Sequence, residues 1–217
     1  MKINILNNYR KLNNNIKDIC KKINRDPNKI RIVAVSKTQP IEKIQPLLKN
    51  NHMNFGENRL EEAKTKWSNI NKENRTLHFI GALQSKKVAE IVRIFDIIET
   101  LDSETAAKNL SKCHHKETEI SIQINIGEET QKRGIVPYEF ESFLNMCKNR
   151  YGLHISGAMC MPPVNKNASV YFRNMKNLCN KNNIFNISMG MSSDYEEAIT
   201  HGSTNIRVGS LIFGERN

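Results

Sequence analysis

Eight short apolar segments recur along the chain, and each precedes a stretch with the periodicity of an amphipathic helix. Strands that alternate with helices pair in parallel through right-handed crossovers. Eight such units in 217 residues favour an α/β fold, a closed (β/α)8 TIM barrel, over an open doubly wound sheet, which is the alternative. The predicted strands are Arg31–Ser36, His52–Phe55, Leu77–Ile80, Phe95–Glu99, Glu119–Ile126, Leu153–Met159, Ile184–Ser188 and Asn205–Val208.

The helical stretches carry apolar residues at intervals of three and four. One of them, from Ile3 to about Ile23, precedes the first strand and is an extra N-terminal helix. No linker or change of composition indicates a second domain, so residues 1–217 are predicted to form one domain. The remaining helices are predicted from Pro40 to about Leu48 and over Arg59–Ile70, Lys86–Arg93, Asp102–His114, Pro137–Asn149, Ser169–Asn180 and Ser193–His201, before a closing segment that begins at Leu211–Phe213.

Charge and cysteine content narrow the classes of function. The net charge is +11, but the lysines are spread along the chain, which favours a small anionic ligand over nucleic acid. The five cysteines are odd in number, widely spaced and without a C-x-x-C pair, which indicates free thiols in a reducing compartment and no metal site. With no signal peptide and no apolar run of membrane-spanning length, we expect a cytoplasmic protein that binds no membrane.

Lys37 stands out because it directly follows the apolar strand in the segment RIVAVSKTQP. Chemistry in a barrel takes place where the strands end. Desolvation at such a place lowers the pKa of a lysine and makes its amine available as a nucleophile toward an aldehyde. The alternative is a lysine that extends from the strand end into solvent.

The last two strand ends predict a phosphate site. The segment SMGMSSD, Ser188–Asp194, runs from a strand into the start of a helix, and RVGS, Arg207–Ser210, leaves the final strand with a glycine. Loops after strands seven and eight commonly bind phosphate in barrels, because glycine lets the backbone approach the anion and serine hydroxyls donate to it. The alternative is ordinary turn chemistry. Combined with Lys37, this pattern suits pyridoxal 5′-phosphate (PLP) held as a lysine Schiff base.

Six segments carry a family resemblance: AVSKTQP, FGENRLEEAKTK, LHFIGALQSKK, GAMCMPP, SMGMSSDYEEAI and GSTNIRVGSLIFGERN. They resemble the pyridoxal phosphate homeostasis protein family, the type co-transcribed with proline synthetase, from Arg31 to the end of the chain. The resemblance implies an alanine-racemase-like barrel of PLP fold type III without the racemase's C-terminal β domain. It also implies a protein that binds PLP without established turnover and supports vitamin B6 and amino-acid balance.

The resemblance also implies site residues. Lys37 is the expected Schiff-base lysine, and Arg207 is expected to face the pyridine nitrogen of the cofactor. Because arginine has no acceptor and stays charged, that nitrogen would remain unprotonated and the ring would be a weak electron sink. The remaining assignments are Asn58 as a residue that lines the pocket, and Ser192 with the backbone of Gly209 and Ser210 as the phosphate site.

A racemase-like enzyme acting on small amino acids is the alternative function. A racemase needs a second acid or base opposite the lysine, which in racemases is a tyrosine from a second domain and the partner subunit. The chain ends at Asn217, just past the barrel, so we expect that group to be missing. The expected partners are PLP and apo enzymes that accept it, and the protein is expected to be a monomer. The tyrosines, Tyr9, Tyr138, Tyr151, Tyr171 and Tyr195, lie in predicted helices or loops.

Three further side chains have two interpretations. Lys132 and Arg133 lie on the loop after the fifth strand and are expected to be solvated charges, with attraction of the cofactor phosphate as the alternative. His78 lies within a predicted strand and is expected to pack in the core rather than act as a base.

Overall fold

The computed structural model describes residues 4–113 and 118–215 and contains a closed barrel of eight parallel strands in sequence order. Each strand pairs with the next, and β1 pairs with β8 from Arg31↔Asn205 to Ala34↔Val208. The barrel prediction is therefore confirmed over the open sheet. The strands are β1 Arg31–Val35, β2 Asn54–Glu57, β3 Thr76–Phe79, β4 Ile97–Leu101, β5 Glu119–Ile124, β6 Ile155–Cys160, β7 Asn186–Ser188 and β8 Asn205–Val208.

The helices surround the barrel, and the extra N-terminal helix α1 packs against α2, α8 and α9. The described helices are α1 Ile5–Lys22, α2 Ile41–Lys49, α3 Leu60–Trp67, α4 Val88–Ile94, α5 Glu104–Cys113, α6 Phe140–Asn149, α7 Ala168–Lys181, α8 Tyr195–Thr200 and α9 Ser210–Phe213. The predicted helix ends at Ile3 and His114 lie outside the described residues. Across residues 4–113 and 118–215, no helix combines the length and hydropathy needed to cross a membrane.

Three predicted strands, those at β2, β4 and β6, begin and end one or two residues too early, and the displacement is larger at β2 and β4. His52 and Phe95 were expected to start strands, but β2 begins at Asn54 and β4 at Ile97. Both side chains are buried by packing on aromatic neighbours instead: His52 against Tyr9 edge-on, and Phe95 against Phe79 with ring centroids 5.0 Å apart. Burial just before a strand and burial within it produce the same signal in a sequence, so the pattern alone misplaces these boundaries.

The apolar core lies mainly between the barrel and its helices, where Phe55, Trp67, Phe140 and Phe172 are fully buried. Polar and charged residues are also buried on the strands themselves. Because parallel strands in a barrel all end at one rim, the residues after β1, β6, β7 and β8 surround a common space.

Candidate functional site

A cavity of about 410 Å³ lies at the rim where the strands end. Its volume is within the range of roughly 300–1,000 Å³ that small-molecule sites occupy. Met159, Met161 and Met191 supply apolar wall. Five of the six predicted binding residues line this one cavity: Lys37, Ser192, Arg207, Gly209 and Ser210.

Lys37 is half-buried and lies on a tight turn, Ser36–Gln39, which we call the lysine turn. The turn is closed by the N–H of Gln39, which donates to the carbonyl of Ser36 at 3.0 Å. Thr38 has a φ of 65°, in the left-handed region that β-branched residues rarely adopt. Such a conformation costs about 1–3 kcal/mol and persists only where surrounding contacts impose it.

Charged side chains of α3 supply those contacts. Lys66 Nζ donates to the carbonyl of Ser36 at 2.8 Å, and the N–H of Thr38 donates to Glu62 Oε1 at 2.5 Å. Glu62 and Lys66 are also paired with each other at 2.6 Å. We call these two residues the helix clamp.

Glu57 lies beneath the helix clamp and is completely buried. Its Oε1 accepts from Ser36 Oγ at 2.8 Å, from Lys66 Nζ at 2.9 Å and from Trp67 Nε1 at 3.1 Å. Burial raises the pKa of the Glu57 carboxyl, and the charge and hydrogen bonds of Lys66 offset that rise only in part. The lysine turn is thus joined through Ser36 to a buried carboxyl and through Lys66 to α3.

Arg207 is held by a second set of contacts, inside the barrel. Its Nη1 donates to Ser188 Oγ at 2.6 Å and lies 3.7 Å from Glu99 Oε2, and its Nη2 donates to the carbonyl of Cys160 at 2.9 Å. Ser188 Oγ donates to Glu99 Oε2 at 2.6 Å, and His78 Nδ1 donates to Glu99 Oε1 at 2.6 Å. We call His78, Glu99, Ser188 and Arg207 the arginine network; all four are buried.

The arginine network keeps Glu99 ionised. Burial alone would raise the pKa of this carboxyl, but the hydrogen bonds and charges of His78, Arg207 and Ser188 together outweigh burial and lower it. The bond between Glu99 on β4 and Ser188 on β7 crosses between strands that are not neighbours in the sheet, so the network runs through the interior of the barrel. A paired carboxylate beneath Arg207 stabilises the guanidinium charge at the floor of the cavity.

The loops after β7 and β8 provide further hydrogen-bonding groups of the cavity. Ser192 Oγ accepts from the N–H of Gly209 at 3.4 Å, which brings the loops after β7 and β8 together. A side chain at Gly209 would place its Cβ 3.3 Å from the carbonyl oxygen of Val35, so glycine lets the end of β8 lie close to β1. Gly190 has a φ of 95°, and a Cβ there would lie 2.5 Å from that of Ala198, so this turn also requires glycine.

The sixth predicted residue, Asn58, does not line this cavity. It lies on the wall of a second cavity together with Arg59, Gln84 and Lys87. Its Oδ1 is buried and has no hydrogen-bond partner within the described part of the chain. Gly81 permits its position, because a Cβ at Gly81 would lie 2.1 Å from the Asn58 carbonyl oxygen.

Lys132 and Arg133 also lie away from the cavity lining. Lys132 Nζ pairs with Glu129 at 2.6 Å and donates to the carbonyl of Pro162 at 3.2 Å. Arg133 donates two hydrogen bonds to Asp102, at 2.6 and 3.0 Å. Both charges are engaged in ion pairs, which differs from the expectation of plainly solvated side chains.

The partners of Lys37 and Arg207 were not predicted from the sequence. His78 was expected in the core, which its complete burial confirms, but its pairing with Glu99 was not expected. A usable signal was present: Glu99 stands in the strand IIETL among apolar residues, and a buried carboxylate must be paired. No comparable signal marks Glu62 or Lys66, which look like an exposed i,i+4 pair on a helix.

None of the five tyrosines lines the cavity in the described structure. Tyr195 is buried at the start of α8, whereas Tyr138 is 77% exposed. The residues that the cavity brings together are therefore a lysine, an arginine, serine hydroxyls and backbone amides. This donor-rich set suits a ligand with an anionic group and a carbon centre open to attack by an amine.

Comparisons with known proteins agree with this geometry. The sequence model of the family described as alanine racemase, N-terminal domain, matches residues 8–217. A protein of Haemophilus influenzae named pyridoxal phosphate homeostasis protein is 33% identical over 99% of this chain and 97% of its own length.

Solved structures point the same way. The structure of PipY from Synechococcus elongatus with PLP bound has a TM-score of 0.73 and 25% identity, over 92% of this chain and 100% of that one. Alanine racemase from Corynebacterium glutamicum has a TM-score of 0.67 and 16% identity over 94% of this chain, and the chain spans 61% of that racemase. At that identity the racemase shares the fold.

Proposed function

The chain belongs to the pyridoxal phosphate homeostasis protein family, and from that premise we propose that its rim cavity binds PLP, with Lys37 as the attachment point. One observation carries the proposal: Lys37 lines the same cavity as the hydrogen-bond donors of Ser192, Gly209 and Ser210. An amine and an anion-binding set on one cavity match the two ends of a phosphorylated aldehyde.

The residues present fit this group. When bound, PLP supplies an aldehyde and a conjugated ring that withdraws electrons. Lys37 would hold the aldehyde end of the group, because its amine is the nucleophile that an aldehyde takes up. Ser192 and the backbone amides beside Gly209 and Ser210 would hold the phosphate, and Arg207 would present its charge to the ring nitrogen.

The residues around the cavity favour binding over turnover. The Arg207 guanidinium stays charged, supported by Glu99, so it would neither give a proton to the ring nitrogen nor accept a hydrogen bond from a protonated one. No tyrosine lines the cavity as a second acid or base in the described structure. We therefore infer a protein that holds PLP. We further propose, as the sequence predicts, that it is a cytoplasmic monomer that releases its cofactor to apo enzymes.

The test is hydride trapping. Incubation of the protein with PLP, followed by borohydride and peptide mass analysis, should place one reduced cofactor on Lys37. The Lys37→Ala variant should carry none, while Ser192→Ala should lower the apparent affinity for PLP but not for pyridoxal, which lacks the phosphate. A cofactor found equally on other lysines would refute the assignment.

A racemase-like activity is the second candidate, because the matching family model is that of the racemase N-terminal domain. The two candidates separate in an assay of alanine racemisation by the PLP-loaded protein. A PLP-holding protein transfers cofactor to an apo enzyme while the enantiomer ratio of alanine stays constant. Steady racemisation that disappears in Lys37→Ala would favour the enzyme instead.

A further inference from the structure

The helix clamp contacts the main chain on both sides of Lys37. Lys66 reaches the carbonyl of Ser36, the residue before the lysine, and Glu62 reaches the N–H of Thr38, the residue after it. The two side chains are one helical turn apart on α3 and therefore project from the same face. Their contacts lie on either side of the lysine, and Lys66 also joins the turn to Glu57 on β2.

Packing alone does not account for this arrangement. The Lys66 side chain is only 7% exposed, and its ammonium uses its three N–H groups on Ser36, Glu57 and Glu62. Burial of a lysine between two carboxyls is a poor way to gain stability, because apolar side chains of similar volume often serve equally well there. What an apolar side chain could not supply is a hydrogen bond to the main chain of the lysine turn.

The lysine turn needs such bonds because of Thr38. Its left-handed backbone is unfavourable for a β-branched residue and would relax toward extended values without an external restraint. Relaxation would rotate the peptide group that follows Lys37. Since the reactivity of a nucleophile depends steeply on its placement, a small rotation there would move the amine away from its reactive position.

We propose that Glu62 and Lys66 are positioning residues that hold the lysine turn in its left-handed form and so direct Lys37 toward the bound cofactor. The proposal rests on the proposed function of Lys37. Neither residue lines the cavity, so both act through the main chain rather than through contact with the ligand.

The same helix provides matched controls. Glu61 and Lys64 also form an ion pair on α3, but Glu61 otherwise reaches Lys87 and Lys64 reaches Glu90, not the lysine turn. Glu61→Ala therefore removes an acidic residue next to Glu62 with no effect on the turn. Lys64→Met is the corresponding control for Lys66→Met.

The experiment has two readouts on the full chain. Hydrogen exchange of the Thr38 amide, followed by NMR in cofactor-free protein, should become about tenfold faster or more in Glu62→Ala, since the amide loses its acceptor. The rate of PLP attachment to Lys37, measured by hydride trapping, should fall about tenfold or more in the same variant. Glu62→Gln keeps an acceptor oxygen and should restore most of both values, and Glu61→Ala should match wild type.

The possible results separate the two proposals. Faster Thr38 exchange with an unchanged attachment rate would overturn the positioning role, as would no change in either readout. Attachment at Lys37 in neither wild type nor variants would refute the proposed function itself. Lys66→Met, compared with Lys64→Met, repeats the test on the other side of the lysine. If Lys66→Met does not fold, Glu62→Ala decides alone, because Glu62 is partly exposed and its loss should leave the protein folded.

Discussion

The lysine turn and the arginine network hold the two charged residues of the cavity in different ways. The lysine turn is held through main-chain atoms of Ser36 and Thr38, by a helix on the outside of the barrel. Arg207 is held through its own guanidinium, by buried groups inside the barrel. Thr38 is exposed and strained, whereas every member of the arginine network is buried.

The difference matches the role that we propose for each residue. A lysine that forms and breaks a covalent bond needs its backbone fixed while its side chain reaches the ligand. An arginine that supplies a constant charge needs the guanidinium itself fixed and its charge compensated, which a buried carboxylate does. The lysine turn therefore determines position, and the arginine network determines charge.

The largest expected effect is on the free energy of unfolding, which should fall much further on substitution of Arg207 than of Lys37. Arg207→Met removes the guanidinium beside the buried Glu99 carboxylate, which keeps only His78 and Ser188 as partners, and should cost about 3–5 kcal/mol of unfolding free energy. Lys37→Met, at a half-buried rim position, should cost less than about 1 kcal/mol. Denaturant unfolding of the cofactor-free variants measures both, and adding Glu99→Gln to Arg207→Met should recover part of the loss. Equal losses at positions 37 and 207 would break the comparison.

A fall in pH should change the contributions of Glu99 and Glu57 to the free energy of unfolding in opposite directions. The pKa of Glu99 is lowered in the folded protein, so its stabilising contribution is complete above its ordinary pKa and is lost as the pH falls through the lowered value. The pKa of Glu57 is raised, so the folded state gains stability as the pH falls from that raised value toward the ordinary one. The measurement is the free energy of unfolding against pH for Glu99→Gln and Glu57→Gln.

Each variant in that series is compared with wild type at the same pH, because His52 also responds to acid. Burial lowers the pKa of His52 to about 4, so the folded protein resists its protonation and loses stability as the pH falls from its ordinary pKa to that value. This loss is common to all the variants and cancels in the difference. Parallel pH curves for the two glutamine variants would contradict the opposite signs.

The smallest expected effect concerns the strain in the lysine turn. Thr38→Gly removes the strain of the left-handed conformation, because glycine adopts it freely. The free energy of unfolding should rise by about 1 kcal/mol after the greater freedom of glycine in the unfolded chain is subtracted. Thr38→Ala keeps the strain and serves as the control at the same exposed site. If alanine stabilised the protein as much as glycine does, the turn would not be strained.

Much of the fold follows from local pattern. Apolar periodicity gave eight strand–helix units and the extra helix α1, and the last strand, Asn205–Val208, was predicted to the residue. The boundaries of β2 and β4 were wrong because His52 and Phe95 are buried against aromatic rings rather than within the sheet. The sequence alone predicts that Lys37 lies near the loops after β7 and β8, because all strands of a parallel barrel end at one rim.

The sequence by itself therefore determined the barrel and the rim to which Lys37, Ser192 and Arg207 belong, since periodicity and strand direction are local properties. Only the tertiary structure decided which polar groups meet there. Thr38 and Glu62 are 24 positions apart, and Glu99 and Ser188 are 89 apart on strands that are not adjacent, while Asn58 faces another cavity. Closure of the barrel fixes these pairs, because it sets which strand ends and side chains oppose one another across the interior.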